Sequence, residues 1–341
     1  PYSRLFFISD TADWVLNWEI AAIRTIAVSL GIPSRLTSEG GISRQAVFHP
    51  SKYFLLNIQS MADARNRIGF PYFHGYPTSG DRQAEACYEQ LRKHHGLVHR
   101  IQVSHTRMEE FVLDTGISPE KVFLIPIGIN ADFFQMQAPL LRKEFRSKYN
   151  IPQEAVVVGS FQKDGNGWGE GLEPKLIKGP DIFLRAVELL RKSVPELFVL
   201  LSGPARGYVK QGLERMGIPY KHVYLKYYPD IHELFHCLDV YIVSSREEGG
   251  PKAVLESMAS GIPLVTTKVG QAMDLVVHEK NAFMVDVEDA EGLAYWAMVV
   301  LSDEDKRHAI IERGAATARL NTYATQVPLW KDFFKGFVAV P

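Results

Sequence analysis

The chain has 341 residues, 46% of them apolar and 23% charged, with a formal charge of −1. That composition suits a globular protein with length enough for two cores, and the near-zero charge argues against a general electrostatic hold on nucleic acid or anionic lipid. Two cysteines in no metal-like spacing, Cys87 and Cys237, point to a reducing, cytoplasmic setting rather than a disulfide framework.

In chain order the sequence alternates strand and helix. The first half predicts strands at 5–8, 53–58, 70–74, 100–104 and 122–125, and helices at 18–30, 82–94 and 106–115. Residues 131–150 are charged and helix-prone between proline punctuation, which puts the expected boundary at 148/149. The second half predicts strands at 155–161, 197–202, 223–225, 240–243 and 263–266. Its helices are expected at 180–193, 207–216, 231–238, 251–260 and a final one at 290–301. Such alternation implies parallel sheets covered on both faces, an α/β fold. No apolar run approaches the ~18 residues of a membrane span and no signal peptide is evident. The abrupt start at Pro1, without methionine, is read as a hint of a missing N-terminal segment.

The most informative stretch is SREEGGPKAVLESMASGIP at 245–263. It follows a β-branched apolar run and sets Glu248 and Glu256 eight residues apart around a Gly249-Gly250-Pro251 turn. Pro251 is expected at the first helical position, where its missing N–H costs nothing. The helix N-terminus then offers unbonded N–H groups and a positive dipole end to a phosphate. Glu256, further along, can reach a vicinal diol. Two carboxylates beside a phosphate cradle suggest a phosphorylated sugar.

This stretch resembles the donor-site signature of the retaining glycosyltransferases called family 4, which have the GT-B fold. KVFLIPIGIN at 121–130, IKGPD at 177–181, and Val269-Gly270 through NAFMV at 281–285 are similar to further family segments, in the family's order. The resemblance implies two Rossmann-like domains facing a cleft. The first would be 1–148 with a returning C-terminal helix at 325–341, the acceptor side; the second, 149–324, would bind a nucleotide-diphosphate sugar. Trp330, Phe333, Phe334 and Phe337 recur at helical spacing, as a docking helix requires. The implied reaction is retaining transfer of a hexose-type sugar to a hydroxyl acceptor, carbohydrate, lipid-linked or small. No cofactor, no obligatory metal and no nucleic acid are implied, and membrane association would be peripheral at most.

By the same resemblance Lys178 neutralises the leaving diphosphate, Glu248 holds the transferred sugar, Glu256 binds ribose, and His74 faces sugar and acceptor. The base would lie near Tyr227 and Tyr228. The chain departs from the family in two places. An arginine usual before the lysine is absent, with Lys163 as its candidate replacement ahead of a glycine-rich insertion at 164–172. Gly250, Pro251 and Lys252 stand where Phe-Gly-Leu is common, so Lys252 adds charge near the diphosphate. Asp13 and Trp14 are candidate acceptor contacts, although Asp13 also suits a helix N-cap. The insertion lacks a dinucleotide-binding register and reads as a mobile lid or a plain loop. Other functions compete: a sugar-phosphate phosphorylase or epimerase of similar fold, for which no phosphate or Schiff-base signature is seen; a non-catalytic nucleotide-sugar binder; and a zinc hydrolase suggested by HELFH at 232–236, whose histidines are otherwise two surface residues. The cluster His94, His95, His99 and His105 reads as a helix end.

Overall fold

The computed structural model describes residues 2–9, 15–38, 41–59, 65–76 and 80–339. These form two compact units, 1–128 with 323–341, and 129–322. Each unit is built on a six-stranded parallel sheet. Among the described residues, no helix is long and apolar enough to cross a membrane.

In the first unit the strands are β1 (Leu5–Ile8), β2 (Ser34–Thr37), β3 (Ala46–Phe48), β4 (Arg67–Pro71), β5 (Val98–Val103) and β6 (Val122–Leu124), in spatial order β2-β1-β3-β4-β5-β6. Helices α1 (Val15–Ser29), α2 (Arg82–His94) and α3 (Thr106–Leu113) connect them. Two strands escape the sequence pattern. β2 carries no buried residue and β3 has only three residues, so neither shows an alternating or extended apolar run. Residues 53–58, expected as a strand, begin instead in a 3-10 helix, Lys52–Asn57, which buries Phe54 and Leu55 on one side.

The second unit contains α4 (Pro139–Lys148), β7 (Val156–Ser160), α5 (Pro180–Arg191), β8 (Leu197–Ser202), α6 (Gly207–Arg215), β9 (Tyr220–Val223) and α7 (Ile231–Phe235). It continues with β10 (Val240–Val243), α8 (Lys252–Ala259), β11 (Leu264–Thr267), α9 (Ala272–Leu275), β12 (Phe283–Val285), α10 (Ala290–Ser302) and α11 (Glu304–Leu320). Its strand order is β12-β11-β10-β7-β8-β9. The chain therefore reverses direction across the sheet between β7 and β10, where an open α/β sheet leaves a crevice at its carboxyl ends. Three expectations shift here. β9 ends at Val223, where the strand was expected to start; α7 stops at Phe235; and α11 follows the helix expected to be last.

The units divide at 128/129 rather than 148/149. Helix α4 packs with the second unit because Arg146, fully buried, donates to the Cys237, Gln153 and Ala155 carbonyls and pairs with Asp239 at 2.8 Å. The C-terminal helix α12 (Val327–Phe334) returns to the first unit. Trp330, Phe333, Phe334 and Phe337 share a core with Leu5, Phe7 and Phe48. Each such burial contributes roughly 1.5–3 kcal/mol. Arg100 fastens the helix end by donating to the Phe333 and Lys335 carbonyls at 2.9 and 2.7 Å.

Candidate functional site

The site residues of the second unit gather where its strand order reverses. β7 ends at Ser160 and leads to Gln162 and Lys163; β10 ends at Val243 and leads to Ser244, Ser245 and Glu248. The loop after β10 is stitched to residues 176–181. Arg246 and Glu247 donate their N–H groups to the Ile177 carbonyl at 2.8 and 3.1 Å, and Ser244 Oγ donates to the Gly179 carbonyl at 2.9 Å. Gly179 has φ +61°, and an added Cβ there would strike the Ser244 carbonyl, so glycine is required at this crossing. Arg246 grips Asp181 through two 2.8 Å bonds, which holds the Asp181 carboxyl below the usual carboxylate range.

That stitching brings Lys178 Nζ to 2.6 Å from Glu248 Oε2. Both side chains are largely buried, with 22% and 12% exposure. Gln162 and Ser245 orient the pair. Gln162 Nε2 donates to the Lys178 carbonyl at 2.9 Å, and Ser245 Oγ lies 2.9 Å from Glu248 Oε1. Thr267 in turn donates to the Ser245 carbonyl at 2.6 Å. None of these three supports stands out in sequence, since a lone Gln, Ser or Thr beside a strand end carries no spacing signal.

The turn beyond Glu248 is closed by the loop after β11. Gln271 N donates to the Gly249 carbonyl at 3.1 Å. Gly270 has φ +50°, and a Cβ there would lie 2.6 Å from that same carbonyl. Pro251 is the N-cap of α8, one position earlier than expected, with φ −62° and ψ 110°; Lys252 is the first helical residue. The helix start has no side-chain cap, so its N-terminal donors face the turn.

Glu256 is 3% exposed and accepts a hydrogen bond from the Tyr228 hydroxyl. Burial pushes its carboxyl above the ordinary range, opposed by Lys252 and by the Tyr228 bond. The Lys252 ammonium sits 5.6 Å from the Tyr228 ring centre. Lys163 places its ammonium 4.5 Å from the Trp168 ring, and burial holds it below the usual lysine range.

The insertion, expected as a mobile lid or a plain loop, is a loop anchored at several points. Asp164 and Arg206, both fully buried, lie 3.0 Å apart. Arg206 also donates to the Ser160 and Ser202 carbonyls at 2.6 and 2.8 Å. The loop's Glu170 and Gly171 carbonyls accept from Gly207 and Tyr208, capping α6. Gly165 and Gly171 are obligatory because a Cβ on either would collide with the Ala205 backbone.

Other expected residues fall elsewhere. His74, in the first unit, is exposed, and its carbonyl accepts from the buried Lys52. Asp13 and Trp14 lie outside the described residues. The HELFH segment does not present a ligand face. Glu233 is held by Lys148 at 2.6 Å and by the Tyr149 hydroxyl, and His232 Nδ1 meets the Pro229 carbonyl at 2.7 Å. His236, expected at the surface, is 2% exposed and stacks on Phe145. Among the described residues, no group of three or more His, Cys, Asp or Glu side chains could hold a metal ion.

Fold and site together define a GT-B architecture with an anion-suited loop and paired carboxylates in its second unit. Residues 172–317 match the family model described as glycosyl transferases group 1. The fold is shared along the whole chain with the crystal structure of Anabaena Alr3699/HepE in complex with UDP and glucose: TM-score 0.79, 16% identity, covering 98% of this chain and 100% of that one. Sucrose-phosphate synthase from Thermosynechococcus elongatus aligns at TM-score 0.77 and 14% identity, over 98% of each chain. In sequence, the chain is similar to the D-inositol 3-phosphate glycosyltransferase of Corynebacterium urealyticum, at 30% identity across 71% of this chain and 58% of that protein. It is also similar to the mannosylfructose-phosphate synthase of Agrobacterium fabrum, at 21% identity across 72% and 55%. The chain spans about half the length of the curated relatives it matches.

Proposed function

We propose that this protein is a retaining glycosyltransferase that moves a hexose-type sugar from a nucleotide-diphosphate sugar to a hydroxyl acceptor. The observation that carries the reading is the Lys178–Glu248 pair, 2.6 Å apart at the strand-order reversal, beside the uncapped start of α8 and buried Glu256. In the reaction the anomeric C–O bond to the diphosphate breaks, the acceptor oxygen bonds to that carbon from the same face, and the acceptor proton passes to the departing diphosphate oxygen. Negative charge grows on the departing diphosphate, and Lys178, Lys252 and the α8 N-terminus oppose it. Lys163 supplies a second cation where the usual arginine is missing.

Glu248 then holds sugar hydroxyls once phosphate has drawn Lys178 away from it, and Glu256 takes the ribose diol in place of Tyr228. His74 is assigned to the acceptor side. This reading calls for no metal. Cys87 and Cys237 are free and buried, in keeping with a cytoplasmic setting. Incubation with UDP-, GDP- and ADP-sugars, with and without EDTA, tests it through nucleoside diphosphate release and the anomeric configuration of the product. Release of α-configured product from an α-linked donor, undiminished by EDTA, is expected. An inverted product, dependence on a metal, or donor binding without turnover would overturn it.

A further inference from the structure

The insertion at 164–172 places one large aromatic residue at its tip. Trp168 is 63% exposed, the most exposed tryptophan among the described residues. An exposed indole on a floppy loop has little meaning, but this loop is held from several sides. Its base is closed by the Gly165–Pro174 bridge, by Asn166 N donating to the Glu173 carbonyl at 2.9 Å and by Lys175 N donating to the Asp164 carbonyl at 2.8 Å. Its return leg caps α6, and the buried Asp164–Arg206 pair roots it in the sheet. Lys163 lies against the indole at 4.5 Å. The loop also leaves and rejoins the chain within the donor site, because Gln162 at one end donates to the Lys178 carbonyl near the other.

A tryptophan fixed in this way offers a flat, electron-rich surface whose ordering cost is already met. The axial C–H bonds of a pyranose form an apolar, weakly positive face that stacks on such a ring. Around it stand exposed side chains able to meet sugar hydroxyls: Asn166, Glu170 and Glu173. The two carboxylates also disfavour an anionic membrane surface, the other common partner of an exposed tryptophan. We propose that Trp168, steadied by Lys163, is the stacking residue for the acceptor, and that the acceptor is a saccharide. This rests on the transferase reading above and narrows its acceptor class.

The test uses the full chain, wild type and the variants Trp168→Ala and Trp168→Phe, each saturated with whichever nucleoside diphosphate stabilises it. Saturation-transfer NMR is recorded with maltose, cellobiose and mannobiose as probes, and thermal stabilisation by the nucleotide is read on the same samples. At least one disaccharide should give a signal that falls fivefold or more in Trp168→Ala and survives in Trp168→Phe, with nucleotide stabilisation retained in all three. An equal signal in Trp168→Ala overturns the proposal. So does silence from every disaccharide in a protein that binds nucleotide, or a shift of Trp168 emission on phosphatidylglycerol vesicles. Absence of nucleotide stabilisation would instead fell the donor reading, and this inference with it.

Discussion

Lys178 and Glu248 are 70 positions apart in sequence, yet Nζ and Oε2 meet at 2.6 Å. The contact follows from backbone bonds that sew residues 176–181 to the loop after β10, not from mutual attraction alone. Each partner satisfies the other. On the proposed donor reading, a phosphate would compete with Glu248 for the ammonium, and the freed carboxylate would accept from sugar hydroxyls. Lys178→Ala is expected to lower kcat about 10²–10³-fold. Glu248→Gln should lower kcat as well while leaving free nucleoside diphosphate affinity unchanged or tighter. Steady-state kinetics with calorimetric titration of the nucleotide checks both, and a Glu248→Gln loss of nucleotide affinity beyond tenfold would contradict the competition.

Glu256 is predicted to couple stability to donor binding with opposite signs. Its carboxyl is raised by burial, so the folded state favours the neutral acid. The stability this gives is fully present below the ordinary carboxylate range and is lost as pH rises through the raised value. Glu256→Gln stays neutral throughout and can still accept from Tyr228. Its melting temperature at neutral pH should therefore exceed that of the wild type, while donor affinity falls about 10–150-fold through the loss of a hydrogen bond to a charged group, worth about 1.5–3 kcal/mol. Melting curves between pH 4 and 8, paired with donor titrations, decide it.

Asp164 and Arg206 show what holds the insertion. Their 3.0 Å contact is an ion pair by distance, and burial still keeps the Asp164 carboxyl above its usual range. Removing one partner leaves the other charge stranded. Arg206→Ala should cost about 3–5 kcal/mol in denaturant unfolding. The paired change Asp164→Leu with Arg206→Met should cost less than Arg206→Ala alone. A double variant no better than the single one would mean that the guanidinium's bonds to the Ser160 and Ser202 carbonyls, rather than the pair, carry the effect.

His49 and His236, one in each unit, are both pushed down to about 4 by burial. In the unfolded chain they titrate at the ordinary histidine value of 6.5. Their contribution is present above 6.5 and is lost as pH falls from there to about 4. Replacing His236, which stacks on Phe145 at 5.6 Å, with Phe should flatten the acid side of the stability profile. Chemical unfolding at stepped pH reads this directly; an unchanged slope would assign the acid sensitivity elsewhere.

The second unit was the more legible half of the sequence. β10 is an uninterrupted apolar run and β8 is one up to its closing Ser202, both buried along their whole length, so their cores follow from composition alone. The run 53–58 is equally apolar and folds as a 3-10 helix, because its pattern specifies burial on one side and nothing about hydrogen bonding. α11 was missed for the opposite reason. Its 17 residues are largely charged and small, and it buries only Ile310, Gly314, Ala315 and Ala318. At the site, charge signalled Lys178, Glu248 and Glu256. The neutral Gln162 and Ser245 gave no such signal and are visible only through their contacts, while Tyr228, expected near the base, instead donates to Glu256. Arg206 drew no expectation, since its partner Asp164 lies 42 residues earlier and no spacing links them.

The most direct test of the donor site is thermal stabilisation by UDP-, GDP- and ADP-sugars and their free nucleotides, after EDTA treatment, on wild type and Glu256→Ala. Ligand at a hundred times its dissociation constant adds about 2.7 kcal/mol, a readily measured rise in Tm. Stabilisation by one nucleotide family, weakened in Glu256→Ala, is the predicted result. No stabilisation by any of them, or the same stabilisation in both proteins, would contradict a donor site built on Lys178, Glu248 and Glu256.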